Sequence, residues 1–385
     1  MIFSNIDFKN FKIKKKNSNL KVHLKLILKK KNSVISSLGS DYKFSFDKKK
    51  ILKYKKFLNY RLIGMGGSSL GAQAIFNFLK KKIKKKFSFV DNLESKYFED
   101  KKTKYLNLII SKSGNTIETI VNANILIKKK DENIFITENK KNFLNLLAHD
   151  LKSEVIHHNN FIGGRYSVLS EVGMLPAELM GLDVRKFKQL DNLIKNKNFI
   201  NSLVTNVAST IFHVKQKKFN SVIINYDPKS INLLNWYQQL IAESLGKKSK
   251  GILPIISNMP KDNHSVMQLY LDGFKNNFFT FFYSNNKNSI KIYNKKIYST
   301  HNYLKNKSVD QILLAQKNAT ENVFLKKNIP FRSFVIKENN EKTLGELFCF
   351  FILETILLAY ALKVNPYDQP SVELIKKETK KILFR

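Results

Sequence analysis

Cysteine occurs once in the 385 residues, at Cys349. No internal disulfide can form, and zinc-finger ligand spacing is absent. Cys349 lies in an apolar helical run, which predicts a buried, structural thiol in a reducing compartment. No Gly-, Ser- or Pro-rich linker interrupts the chain, so its parts are expected to pack closely. The start, Met1-Ile2-Phe3-Ser4-Asn5-Ile6, lacks the basic-then-apolar order of a secretory signal. Long apolar runs are equally scarce. Only Leu344 to Leu362 approaches a membrane span, and it carries Glu346 and Glu354 without an aromatic belt, so it reads as a buried core helix. Acidic residues number 30 against 68 lysines and arginines, for a net charge of +38. Such an excess invites a nucleic-acid partner. The lysines are scattered through helices, loops and strand ends, however, and no known nucleic-acid module is present. No specific nucleic-acid partner and no membrane are expected, and the location is expected to be cytoplasmic.

Hydrophobic residues make up 43% of the chain, ample for proper cores, and the length suits roughly two domains. A polar, lysine-rich lead covers residues 1–55. Apolar runs then alternate with helical spacing: strands are predicted at Tyr60–Ile63, Phe87–Val90, Leu106–Ile110, Asn133–Ile136 and Val155–His157. A second alternating set has strands at Ser221–Tyr226, Gly251–Ser257, Phe278–Tyr283 and Arg332–Ile336, followed by two C-terminal helices. Alternation of this kind predicts an α/β fold with parallel sheets wound by helices on both faces, in units of 56–200 and 201–385. Ligands in such sheets sit beyond the carboxyl ends of the strands.

Ser111-Lys112-Ser113-Gly114-Asn115-Thr116 stands at such an end, between an apolar strand and a helix. A hydroxyl-rich turn at a helix N-terminus favours an anion, and phosphate suits it best; an ordinary helix cap has similar composition. Gly64-Met65-Gly66-Gly67-Ser68-Ser69 opens another helix and lets backbone approach an anion closely. Its spacing fails GxGxxG, which weakens a dinucleotide reading with Asp91 as ribose partner. In Gly163-Gly164-Arg165 the glycines let a guanidinium reach inward, suited to a developing oxyanion. Glu243 lies on an apolar-striped helix one turn after Gln239, where desolvation can make a carboxylate a competent base. His264 stands in a predicted βα loop of the second half. On the final helix Lys376 lies four residues after Val372 and seven before Leu383, so it is expected to point towards the protein.

In chain order these segments resemble the phosphoglucose isomerase family. Ile162-Gly163-Gly164-Arg165-Tyr166-Ser167 through Gly173 resembles one family signature, and Asn365-Pro366-Tyr367-Asp368-Gln369-Pro370 through Lys376 the other. The resemblance implies two sugar isomerase (SIS) domains packed together with a helical C-terminal segment, no cofactor and no metal. It implies interconversion of glucose 6-phosphate and fructose 6-phosphate through a cis-enediol. By motif position, Gly67, Ser68, Ser111, Lys112, Ser113 and Thr116 would hold the sugar phosphate, Lys112 mainly through its backbone. Glu243 would be the base, Arg165 with the Gly164 backbone would steady the enediolate, and Gln239 and Gln369 would contact the sugar. His264 and Lys376 would assist ring opening, His264 from the partner subunit of a homodimer. Ser371, Ile375 and Leu245 depart from the usual family residues. A bifunctional isomerase also taking mannose 6-phosphate, and a non-catalytic sugar-phosphate sensor, are the alternative readings.

Overall fold

Leu106-Asn107-Leu108-Ile109-Ile110 has no polar face to show to water, and it becomes a strand buried at every position. The computed structural model describes residues 2–13, 15, 17–96, 103–128, 130–285 and 289–384. Its strands are β1 (Ile6–Lys9), β2 (Asn59–Gly64), β3 (Lys86–Val90), β4 (Leu106–Ile110), β5 (Glu132–Thr137), β6 (Glu154–His157), β7 (Asn220–Asn225), β8 (Leu253–Asn258), β9 (Asn277–Ser284) and β10 (Phe331–Ile336). They form two five-stranded sheets. The first has the order β3-β2-β4-β5-β6, with every pair parallel. The second has the order β1-β10-β9-β7-β8 and is parallel except for β1, which pairs antiparallel with β10.

Every predicted strand has a counterpart, with ends shifted by at most two residues. β1 was not among them, because it lies in the lead, where lysines conceal the anchors. Phe3, Ile6, Phe11, Leu20 and Leu24 are buried there, and Phe8 packs its ring on Phe334. The lead therefore completes the edge of the second sheet.

In the first sheet the chain leaves β2 for β3 on one side and returns to β4 on the other. In sheets of this kind ligands bind beyond the strand ends at such a switch point, here between β2 and β4. Gly64 to Ser69 and Ser111 to Thr116 are the two turns that border it. One continuous core joins the halves, running from Leu62 and Leu108 to Phe282 and Phe334. The helix Glu341–Leu362 passes through it. Among the described residues it is the one helix long and apolar enough to cross a membrane, and 18 of its residues are buried in this fold. Its three acids are all satisfied: Glu341 pairs with Lys82 at 2.6 Å, Glu346 accepts from Ser4 N (3.1 Å) and Oγ (2.8 Å), and Glu354 pairs with Arg332. Burial pushes the Cys349 thiol up to about 12.

Candidate active site

The turn after β4 is drawn shut by its own hydroxyls. Ser111 Oγ lies 2.8 Å from Thr116 Oγ1 and accepts from Gly114 N at 3.2 Å. Gly114 has φ of +67°, and a Cβ there would lie 2.1 Å from Asn142 Oδ1, so only glycine fits. Thr116 caps the helix Ile117–Leu126 with extended backbone and makes no side-chain cap bond. The first N–H groups of that helix are thus left to an outside acceptor. Ser113 is exposed at the rim, and its Oγ accepts from Asn115 N at 3.3 Å. Lys112 reaches 3.4 Å from Glu138 Oε1, while its carbonyl accepts from Glu138 N and Thr137 Oγ1.

The turn after β2 is pressed against two other elements. Gly66 has φ of +53°, and a Cβ there would meet Gln239 Nε2 at 2.8 Å. A Cβ on Gly67 would lie 2.1 Å from the carbonyl carbon of Gly164. Two backbones touch where any side chain would hold them apart, and Ser68 sits half-buried beside that contact. Asp91 accepts from Gln73 Nε2 at 2.5 Å. The group a ribose would need is engaged inside the fold, which weighs further against the dinucleotide reading.

Arg165 follows Gly164 and is 2% exposed. Its Nε donates to Ser244 Oγ (2.9 Å). Nη1 donates to Glu243 Oε2 (3.2 Å) and Gln369 Oε1 (2.7 Å), and Nη2 to the carbonyls of Pro366 (2.5 Å) and Asp368 (3.0 Å). Five donors meet five acceptors, an arrangement that fixes the guanidinium plane. Glu243, on the helix Ile231–Leu245, accepts at its other oxygen from Gln239 Nε2 at 2.9 Å. Its side chain keeps a third of its surface open. A carboxylate held at both oxygens yet open on one side can take a proton from carbon, with a cation fixed alongside.

Glu243, Gln239, Arg165, Gly164 and Gln369 are therefore brought together, and contact through Gly66 and Gly67 joins them to the anion-binding side. Two expected members stand apart. His264 ends the short turn Lys261–His264 after β8 and is exposed, and among the described residues no hydrogen bond or ion pair joins it to Arg165 or Glu243. Lys376 corrects the expectation that it points inward. It pairs with Glu373 at 2.7 Å, both side chains being more than half exposed, and no residue of the helix Val372–Leu383 is buried. Among the described residues nothing covers the apolar side of this helix, so the side on which Lys376 lies is open. Missed from the sequence were Ser244, Tyr166 and the carbonyls of residues 366 and 368, which complete the shell of Arg165. Ser244 and Tyr166 adjoin Glu243 and Arg165, and that adjacency was the one available signal. Among the described residues no group of three or more His, Cys, Asp or Glu is placed to hold a metal ion.

Residues 47–385 match the family model described as Phosphoglucose isomerase. The chain is 34% identical over 304 residues to glucose-6-phosphate isomerase of Mycoplasmopsis pulmonis, covering 74% of this chain and 71% of that one. It is 32% identical over 384 residues to that of Methanocaldococcus jannaschii, covering 94% and 91%. In fold it resembles a hypothetical protein of Thermus thermophilus, with a TM-score of 0.82 at 22% identity over 95% of this chain and 94% of that one. A glucose-6-phosphate isomerase of Chlamydia trachomatis aligns with a TM-score of 0.68 at 18% identity, over 87% and 72%.

Proposed function

The chain belongs to the phosphoglucose isomerase family, and from that premise we propose how its own residues interconvert glucose 6-phosphate and fructose 6-phosphate. The phosphate lies in the crevice at the β2–β4 switch point. Ser111, Ser113 and Thr116 offer hydroxyls to it, Lys112 its backbone, and Gly67 and Ser68 close the other side. Binding energy from this group, remote from the reacting carbons, holds the substrate for the chemical step.

With the sugar ring open, Glu243 removes the proton from C2 of the aldose. The electron pair moves into a C1–C2 double bond and negative charge collects on oxygen, giving the cis-enediolate. Arg165 and the Gly164 N–H stabilise that charge. The hydroxyl proton on O2 passes to O1, and Glu243 returns its proton to C1, leaving a hydroxyl at C1 and the ketose carbonyl at C2. Gln239 orients the base, and Gln369 orients the sugar. Ring opening falls to His264 and Lys376. His264 is exposed and unbonded to the Arg165–Glu243 cluster among the described residues, which supports its acting in trans across a homodimer. The cytoplasm, a reducing compartment, accords with the buried Cys349.

One observation carries the reading: Arg165 and Gln239 each hold one oxygen of a half-open Glu243. Proton NMR of fructose 6-phosphate in D2O tests it. Wild type should produce glucose 6-phosphate deuterated at C2, and Glu243→Gln should slow turnover by about 10²–10⁴-fold. Sugar-phosphate binding by wild type without turnover would favour the sensor reading instead.

A further inference from the structure

A hydroxyl that accepts a hydrogen bond from a guanidinium must send its own proton elsewhere. Ser244 Oγ accepts from Arg165 Nε, and its other neighbour is Tyr166 Oη at 2.8 Å. Tyr166 Oη in turn lies 3.1 Å from the Pro366 carbonyl, which can only accept. The direction of every bond is thereby fixed. Arg165 donates to Ser244, Ser244 to Tyr166, and Tyr166 to Pro366 O. Pro366 O also accepts from Arg165 Nη2. The path leaves the guanidinium at Nε and ends on a carbonyl that the same guanidinium holds at Nη2.

Tyr166 is 1% exposed and Ser244 is fully buried, so bulk water cannot replace either hydroxyl. Burial pushes the Tyr166 phenol up to about 12, which keeps its proton in place at neutral pH. The four members of the ring come from three elements: Arg165 and Tyr166 from the turn Gly164–Leu169, Ser244 from the helix Ile231–Leu245, and Pro366 from the segment 365–369 that brings Gln369 to Arg165.

We infer that Tyr166 and Ser244 are positioning residues for the isomerisation, setting the plane of Arg165 and seating the segment that carries Gln369. The inference rests on the roles assigned above to Arg165 and Glu243. Both hydroxyls lie behind the guanidinium, so they act through it. Losing either leaves Arg165 charged and still bonded to Glu243, Gln369, Pro366 O and Asp368 O, but loosens its seat at Nε and at the Pro366 carbonyl, which degrades its aim at Glu243 and at the enediolate. The phosphate grip is untouched. Chemistry should therefore suffer more than binding.

The test compares Tyr166→Phe, Ser244→Ala, their double variant and Ser244→Thr in the full chain, with fructose 6-phosphate as substrate. Each single variant should lose about ten- to a hundredfold in kcat with KM changed less than about threefold, as expected for misplaced catalytic geometry. The double variant should be no worse than the poorer single, because both break one ring. Ser244→Thr, which keeps the hydroxyl, should recover most of the loss. Singles with wild-type kcat, or losses that multiply in the double, overturn the ring. If Ser244→Ala fails to fold, Tyr166→Phe alone decides, since it removes one oxygen and no volume elsewhere. Arg165→Ala and Glu243→Gln separate the premise from the inference. If these turn over like wild type, the site reading itself fails. If they are inactive while the hydroxyl variants are unchanged, the site reading stands and the ring does not.

Discussion

His158 is 2% exposed at the end of the first sheet, and its Nε2 lies 2.9 Å from the Ile162 carbonyl. A carbonyl only accepts, so Nε2 carries the proton and Nδ1 is the bare nitrogen, 4.0 Å from Glu171 Oε2. Burial lowers the pKa of this ring to about 4, with Lys112 adding to the effect and the Ile162 bond and Glu138 opposing it. In the unfolded chain an ordinary histidine titrates near 6.5. Between these values the unfolded state binds more protons than the folded one, so stability falls as pH falls. The contribution is fully present above about 6.5 and is lost progressively down to about 4. Its size is on the order of 3 kcal/mol at 1.36 kcal/mol per pH unit. Thermal melts from pH 7 to pH 4 should therefore show a shallower decline for His158→Gln than for wild type. Parallel curves would show that His158 does not titrate in this way. The residues proposed for the site were legible where they sit in long signatures, as Arg165 and Gln369 do. Carbonyls such as Pro366 O carry no side-chain identity, so nothing in the sequence marked them as partners of Arg165.

At the next scale, the site depends on how closely two backbone turns approach. Gly67 and Gly164 touch main chain to main chain, and a methyl group placed on Gly67 would come within 2.1 Å of Gly164, far inside van der Waals distance. Neither turn can retreat easily, since β2 fixes one and the five bonds of Arg165 fix the other. Gly67→Ala should therefore drive the phosphate side away from Arg165. The expected result is a loss of about a hundredfold in kcat/KM, in line with misplacements of about 1 Å. Gly163→Ala is the control, because the nearest atom to its added Cβ is Tyr166 Cδ2 at 3.9 Å. Equal effects of the two substitutions would mean that flexibility, not the close approach, is what glycine supplies. Elements were legible in proportion to how apolar they are. β4 declares itself by an unbroken buried run, whereas β1 is four residues in which Asp7 and Lys9 alternate with Ile6 and Phe8. The helix Val309–Lys326 escapes a reading by periodicity for a related reason: only Lys317, Glu321 and Phe324 are buried on it, so it shows no apolar stripe. Two of those three form a buried Lys317–Glu321 ion pair, a packing device that hydrophobic periodicity does not register.

For the molecule as a whole, the +38 charge and the uncovered last helix have consequences beyond one site. A positive surface steers a dianionic sugar phosphate inward, so kcat/KM should fall as ionic strength rises from low values, while kcat stays level. A salt-independent kcat/KM would remove steering from the account. The helix Val372–Leu383 makes the stronger claim. Ile375 is 69% exposed and Leu383 71%, with Val372 and Ile382 also open on the same side. Twelve residues are too few for an isolated helix to persist in water on propensity alone, so an amphipathic helix of this length is stabilised by whatever buries its apolar face. Among the described residues, its own chain does not. The segment just before it is fastened to the site: Arg165 holds Pro366, Asp368 and Gln369, and Lys247 pairs with Asp368 at 2.8 Å. A second copy seated on this helix would thus lie close to the reacting groups, as the homodimer proposed above requires. Ile375→Glu with Leu383→Glu should convert a dimer to a monomer in light scattering and abolish most turnover, although no side chain around Glu243 has been altered. Wild-type turnover per chain should also fall on dilution through the dissociation range. A monomeric wild type with full turnover would exclude the shared site, and a dimeric double variant would move the interface to another face.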